Sequence, residues 1–329
     1  MDIVHTPVLL QECMDWLSPI GEPYEASAFM VDSTLGEGGH SAAFLSRFPA
    51  LSIVGIDADA AVQKRAAERL APFGERMQFY RGWFRTFYAD YPASLSKPNI
   101  ILFDLGISVF HYERSGRGFS FRYDEPLDMR LEPDPKNKTA AELVNGLRED
   151  ELADLIYRYG EEKFSRKIAR AVCTAARKAP IMSSKALADI VYDAVPAAYR
   201  YAKLHPATRT FQALRIAVNS ELLHLPEVLH NAFSALTDGG KLGVITFHSL
   251  EDRIVKNYFR NLGKKCVCPP EQAVCRCGGC PCAEILTKKP VVPADAEVLR
   301  NAPSRSAKFR VIRKLRGATE SHLYGVKGY

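Results

Sequence analysis

The chain has 329 residues, 47% hydrophobic and 25% charged, with a formal net charge of +6. That composition excludes disordered, collagenous and other fibrous classes, and at roughly 100 to 200 residues per domain the length suggests about two domains. No apolar run approaches the ~18 residues that a spanning helix needs, and the opening MDIVHTPVLLQE has Asp2 where a secretory signal would be basic, so a soluble, cytoplasmic protein is expected.

In chain order, Ala28 to Asp32 (AFMVD) predicts a first strand, followed by a glycine-rich turn and the helix GHSAAFLSRF. Ser52 to Asp57 predicts a second strand, and Ala60 to Leu70 a helix with Ala61, Ala66 and Leu70 on one face. Met77 to Tyr80 and Asn99 to Asp104 complete four strands, an alternation that writes a parallel α/β sheet. From about Tyr112 to His205 helical periodicity replaces it, which predicts an inserted helical domain at 112–205 between sheet-forming parts at 1–111 and 206–329. A long helical stretch containing Pro226 then leads to a fifth strand at 240–247 and a helix near Ser249. A cysteine-rich segment and a basic strand at 306–315 follow.

The chemistry gathers at the strand ends. Residues 32–40 read DSTLGEGGH, and Gly36, Gly38 and Gly39 between a strand and a helix allow a tight turn and a close ligand approach. Asp57 ends the second strand, where an acid can accept from both ribose hydroxyls, and Asp104 ends the fourth. The glycine spacing is wrong for a dinucleotide and no Gly-Lys-Ser/Thr follows, so pyrophosphate and P-loop readings fail. Three carboxylates instead suit S-adenosylmethionine, which carries cationic ammonium and sulfonium groups. Phe84, just past the third strand, is a candidate wall against adenine, with ordinary core packing as the bland alternative.

Arg117, Phe119, Phe121, Arg122 and Tyr123 interleave cations with aromatics, as unpaired RNA requires, although Asp124, Glu125 and Asp128 beside them fit a salt-bridged turn equally well. Arg209 has no acid close by in sequence. Residues 300–329 hold eight Lys or Arg against one Glu, and Arg305, Lys308, Arg310, Arg313 and Lys314 are candidates for phosphate contacts. Six of the eight cysteines lie between Cys266 and Cys282. Their spacing admits a zinc site but is tighter than ordinary zinc hairpins, and no catalytic metal is expected.

Eight collinear segments, HTPVLLQE (5–12), DSTLGEGGHS (32–41), GIDADA (55–60), FDLGIS (103–108), RGFSFRYDEPLDMR (117–130), HPATRTFQALRIAVNSEL (205–222), ITFHSLEDRIVK (245–256) and SRSAKFRV (304–311), resemble the bacterial small-subunit rRNA N4-cytosine methyltransferase H family nearly end to end. The resemblance implies a class I, Rossmann-like methyltransferase with a helical insertion for substrate recognition. It implies methylation of a cytidine amine in the decoding region of small-subunit rRNA, on naked rRNA or on the assembled subunit, and leaves a homodimer open. Carried over by position, the cofactor contacts are Gly38, Gly39, His40, Asp57, Phe84, Asp104 and His111. His111 departs from the family's usual glutamine, and an imidazole cannot both donate and accept as an amide does. For the acceptor of the N4 proton, Asp104 and His248 are the candidates; for RNA, Arg117, Phe119, Arg122, Arg209, Arg305 and Lys308. Rival readings are a methyltransferase for another RNA, DNA or protein amine, and a zinc-stabilised RNA-binding assembly protein.

Overall fold

The computed structural model describes residues 7–19, 27–107, 109–113, 115–134, 136–201, 204–266, 274 and 281–315. Its strands are β1 (Ala28–Asp32), β2 (Leu51–Asp57), β3 (Met77–Arg81), β4 (Ile100–Asp104), β5 (Lys241–Thr246), β6 (Ala283–Ile285) and β7 (Lys308–Lys314), in one sheet of order β3-β2-β1-β4-β5-β7-β6. The first five are mutually parallel, and β7 runs antiparallel to both β5 and β6. The central strands are apolar on both faces, as IILFD in β4 already suggests, because helices cover each side.

The helices around the sheet are α1 (Leu10–Trp16), α2 (Gly39–Arg47), α3 (Ala60–Leu70) and α4 (Phe84–Ala89). After the helical unit come α12 (Leu225–Ala235), α13 (Ser249–Leu262) and α14 (Asp295–Arg300). One face of the sheet packs Val31, Ile101, Phe103 and Val244 against Phe87 of α4, Phe233 of α12 and Tyr258 of α13. The opposite face packs Met30, Ile53, Leu102 and Phe309 against Cys13 of α1, Phe44 of α2 and Leu70 of α3.

The chain divides into two compact units, Met1–Gly106 with His224–Tyr329, and Ile107–Leu223. The second holds α5 (Val109–Glu113), α6 (Ala140–Gly146), α7 (Glu149–Gly160), α8 (Ser165–Ala176), α9 (Ser184–Ala194), α10 (Ala197–Arg200) and α11 (Ala207–Asn219) around a core of its own that includes Leu152, Ile168, Leu187 and Phe211. Thus α11, assigned from sequence to the returning sheet, groups with the helical unit. The stretch read as one long helix is two: α11 ends at Ser220, in the left-handed conformation at φ 51°, and Pro226 sits in the first turn of α12, where its missing N–H costs nothing. β6 has only three residues and leaves too short a pattern to read.

The basic strand β7 is mostly structural. Alternation turns Lys308, Arg310 and Lys314 to the side of α12 and α13. Arg310 and Lys308 grip Asp252 at 2.7 and 3.3 Å. Burial alone would raise that carboxyl, but the Arg310 hydrogen bond and charge, with Lys308, hold it below its ordinary value. Lys314, 8% exposed, donates to the carbonyls of Phe233, Ser234 and Leu236, which close the last turn of α12. Arg313 pairs across to Glu284 on β6. Of the predicted phosphate contacts in this segment, Arg305 is exposed.

In the cysteine-rich segment, Cys268, Cys275, Cys277 and Cys280 fall outside the described residues, as does His5. Cys282 is buried, and its N–H donates to Leu262. Substituting Lys314 by Met should lower the unfolding free energy by roughly 2–4 kcal/mol, because three buried carbonyls lose a charged donor. Arg305→Ala should change it by less than about 0.5 kcal/mol. Chemical denaturation of both variants checks this.

A carboxylate-lined edge as the candidate active site

The site is built outside the carboxyl ends of β1, β2 and β4, at the point where the strand order reverses on either side of β1. Register sets the levels: Asp32 pairs with Gly55 and with Leu102, so Asp57 and Asp104 both lie two residues further along.

Asp32 closes the turn that follows. Its carboxylate accepts from Ser41 Oγ at 2.6 Å and from the Thr34 N–H at 3.4 Å. Burial pushes this 2%-exposed group up to about 6, the bonds from Ser41 and Thr34 pulling the other way. Thr34 Oγ1 then accepts from the Asp104 N–H at 2.6 Å, and Asp57 accepts from the N–H groups of Gly36 and Asp59 at 3.0 and 2.8 Å. One loop thereby fixes all three acids.

The glycines are demanded mainly by the protein itself. Gly36 and Gly38 have φ of 53° and 76°, which L side chains rarely adopt. A Cβ on Gly39 would stand 2.4 Å from Pro7 Cγ. The close approach anticipated for a ligand at Gly39 is thus made by the amino-terminal segment. His40, in the first turn of α2, is buried with Nε2 3.0 Å from the Val8 carbonyl and Nδ1 3.7 Å from Asp104 Oδ2.

Asp104 is the unusual group. Its side chain keeps 20% of its surface exposed, yet Oδ1 is sealed and has no hydrogen-bond partner among the described residues. Burial, followed by the charges of Asp32 and Glu251, pushes its pKa up to about 8. Phe84 opens α4, is half-buried and meets the Phe103 ring edge-on at 5.6 Å.

His248, the other candidate proton acceptor, is the N-cap of α13: its Nδ1 accepts from the Glu251 N–H at 3.3 Å, and its Nε2 lies 3.1 Å from Glu251 Oε1. Glu251 answers by accepting from the Phe247 and His248 N–H groups, a capping box in which histidine replaces the usual serine or threonine.

The remaining candidates belong to the helical unit. His111 is buried with its ring edge-on to Phe119 at 5.5 Å. Phe119 itself is 4% exposed in the helical core, so it is a packing residue and offers no stacking face. Arg117 donates to the carbonyls of Arg130 and Leu131, and Arg209 to that of Glu161. Arg122 is exposed. Sequence reasoning missed Thr34 and Ser41, whose hydroxyls complete the loop, and the reach of the Glu251 charge to Asp104. Thr34 and Ser41 flank the glycines; Glu251 gave no signal of proximity to Asp104, because that depends on the pairing of β4 with β5.

A seven-stranded sheet of this order, with a glycine turn after β1 and acids ending β2 and β4, defines a class I, Rossmann-like methyltransferase. The chain belongs to the MraW methylase family, whose model matches residues 2–315. It is similar to the protein named ribosomal RNA small subunit methyltransferase H in Treponema denticola, 56% identical over 96% of this chain and 98% of that one. The protein of the same name in Carboxydothermus hydrogenoformans is 44% identical over 96% and 99%.

The donor set fits S-adenosylmethionine: a sealed, unpartnered carboxylate oxygen on Asp104 and the nearby charge of Asp32 favour a cation and would repel a pyrophosphate. Because the Asp104 pKa lies near 8, cation binding below that pH must release its proton. Cofactor affinity should therefore rise with pH up to about 8 and level off above, and Asp104→Asn should flatten the rise, as calorimetry in buffers of different ionisation enthalpy would show. The sign for the apo fold is opposite. A carboxyl raised from 3.8 to about 8 takes stability away as pH climbs through that interval, so wild type should lose stability relative to Asp104→Asn between those limits.

Proposed function

We propose that this chain methylates the N4 exocyclic amine of a cytidine in the decoding region of small-subunit rRNA, in the cytoplasm, using S-adenosylmethionine. The observation that carries the reading is the Asp104 carboxylate at the end of β4, with one oxygen sealed and part of its surface still exposed, held by the loop that makes the glycine turn. The printed name shared by the relatives, ribosomal RNA small subunit methyltransferase H, supports the RNA substrate.

When bound, S-adenosylmethionine supplies an electrophilic methyl on a sulfonium. Asp57 accepts from the ribose hydroxyls while its backbone partners hold it still; Phe84 packs along the base; Gly38, Gly39 and His40 shape the turn. The cytosine N4 lone pair is delocalised into the ring, which makes the amine a poor nucleophile. Asp104, through the part of its carboxylate that stays exposed, accepts from an N4 hydrogen, localises that lone pair and takes up the proton as the C–N bond forms. In-line positioning supplies most of the remaining rate. On the helical unit Arg117, Arg122 and Arg209, and on the strand-bearing unit Arg305, are the RNA contacts of this reading.

The test is transfer of labelled methyl to small ribosomal subunits, naked small-subunit rRNA and DNA from cells lacking the enzyme, followed by digestion to nucleosides. Label in N4-methylcytidine from RNA is expected, and label in DNA or in no nucleic acid would overturn the reading. Asp57→Ala should weaken cofactor affinity roughly 10- to 100-fold, the worth of one or two hydrogen bonds to a charged group. Unchanged affinity would remove Asp57 from the site.

A further inference from the structure

We propose that the exposed face of α8 is a ridge that binds the phosphodiester backbone of RNA. The inference rests on the RNA reading above and adds a binding surface to it. Helix α8 buries Ser165, Ile168, Ala169 and Val172 against its neighbours. The opposite side, with the residues flanking the helix, exposes Lys163, Arg166, Lys167, Arg170, Arg177 and Lys178.

Three observations separate this face from an ordinary solvated one. Of the six cations only Arg170 has an acid partner, Glu149 at 3.2 Å; the other five form no ion pair among the described residues. Several cations elsewhere have fixed acid partners: Arg130 has Asp128, Arg215 has Glu221, and Arg310 has Asp252. Second, the charges oppose the helix dipole. Lys163, Arg166 and Lys167 crowd the amino-terminal end, the first turn contains no acid, and the carboxylate beside it, that of buried Glu162, is taken up by the Phe164 N–H at 2.8 Å and the Tyr199 hydroxyl at 2.7 Å. Third, the spacing is regular. Arg166, Arg170 and Arg177 extend over about 16 Å at 1.5 Å per residue, long enough to meet several phosphates of a polyanion bearing a charge about every 3.4 Å per strand in a duplex. Lys163 also lies over the half-buried Phe164 and Tyr199 rings, 5.1 Å from each, which holds its ammonium at the surface.

The test is the triple variant Arg166→Gln, Lys167→Gln, Arg177→Gln in the full chain. Glutamine has nearly the helix propensity of the residues it replaces. Binding to a small-subunit rRNA transcript is measured by filter retention over a roughly fourfold range of KCl concentration. The slope of log affinity against log salt should become shallower by about 2, since each lost single-strand phosphate contact removes ~0.7, and affinity at fixed salt should fall on the order of tenfold. S-adenosylmethionine affinity and the unfolding midpoint should stay unchanged. The double variant Arg166→Lys, Arg177→Lys should keep the wild-type slope, and so should the control Arg158→Gln on exposed α7.

A triple variant with the wild-type slope overturns the ridge. So does one that loses only its binding to phosphatidylglycerol-containing vesicles, which would make the face a membrane contact. A failure of the reaction reading is distinguishable: if wild type methylates no RNA and the triple variant still loses salt slope, the ridge stands and the assigned reaction falls.

Discussion

The site depends on one buried carboxylate. Asp32 is two residues short of the level of Asp57 and Asp104, and it holds the turn between β1 and α2 shut from inside through Ser41 and Thr34. Thr34 then grips the backbone of Asp104, and the Gly36 amide grips the side chain of Asp57. Without Asp32 the other two acids would still end their strands, but the loop between them would lose its bonds to Ser41 and Thr34. Burying an acid this way is costly, and the cost is visible in its upward-shifted pKa and in that of Asp104 beside it. A methyl donor with a cationic sulfonium relieves that repulsion on binding, so the strain in the resting site and the affinity for the ligand have one origin.

The parallel strands and the acids were legible because such strands are written as short apolar runs and the chemistry falls at their last residues: Asp32, Asp57 and Asp104 each end a strand. The glycines were legible as a turn, but their cause was not. Gly39 answers to Pro7, more than thirty residues earlier, and only packing reveals it. His248 was ambiguous because a histidine at a helix start reads equally as acid-base catalyst or cap, and that it caps depends on which atom meets the Glu251 amide. Phe119 misled because alternation of aromatic and basic residues looks alike in a stacking platform and in a folded loop whose aromatics point inward.

The distribution of positive charge follows the same division. The carboxyl-terminal strand is rich in Lys and Arg, yet a period of two turns three of them toward α12 and α13, where one caps a helix and the others hold Asp252. On α8 a period of 3.6 does the reverse, collecting cations on the side away from the core. Composition counts both groups equally, and only the periodicity of the element that carries them separates an internal clamp from an outward surface.

The contact between Pro7 and Gly39 has a mechanical meaning. Because the proline ring fills the space where a side chain at position 39 would go, and the next carbonyl, that of Val8, holds the His40 ring, the amino-terminal segment and the donor-binding turn behave as a single part. Whatever pulls on the chain ahead of Pro7, including a fused polypeptide or an immobilising linker, loads that turn directly. Attachment at the far end of the sequence leaves this lever untouched, which makes it the sounder choice for handling the protein on a surface.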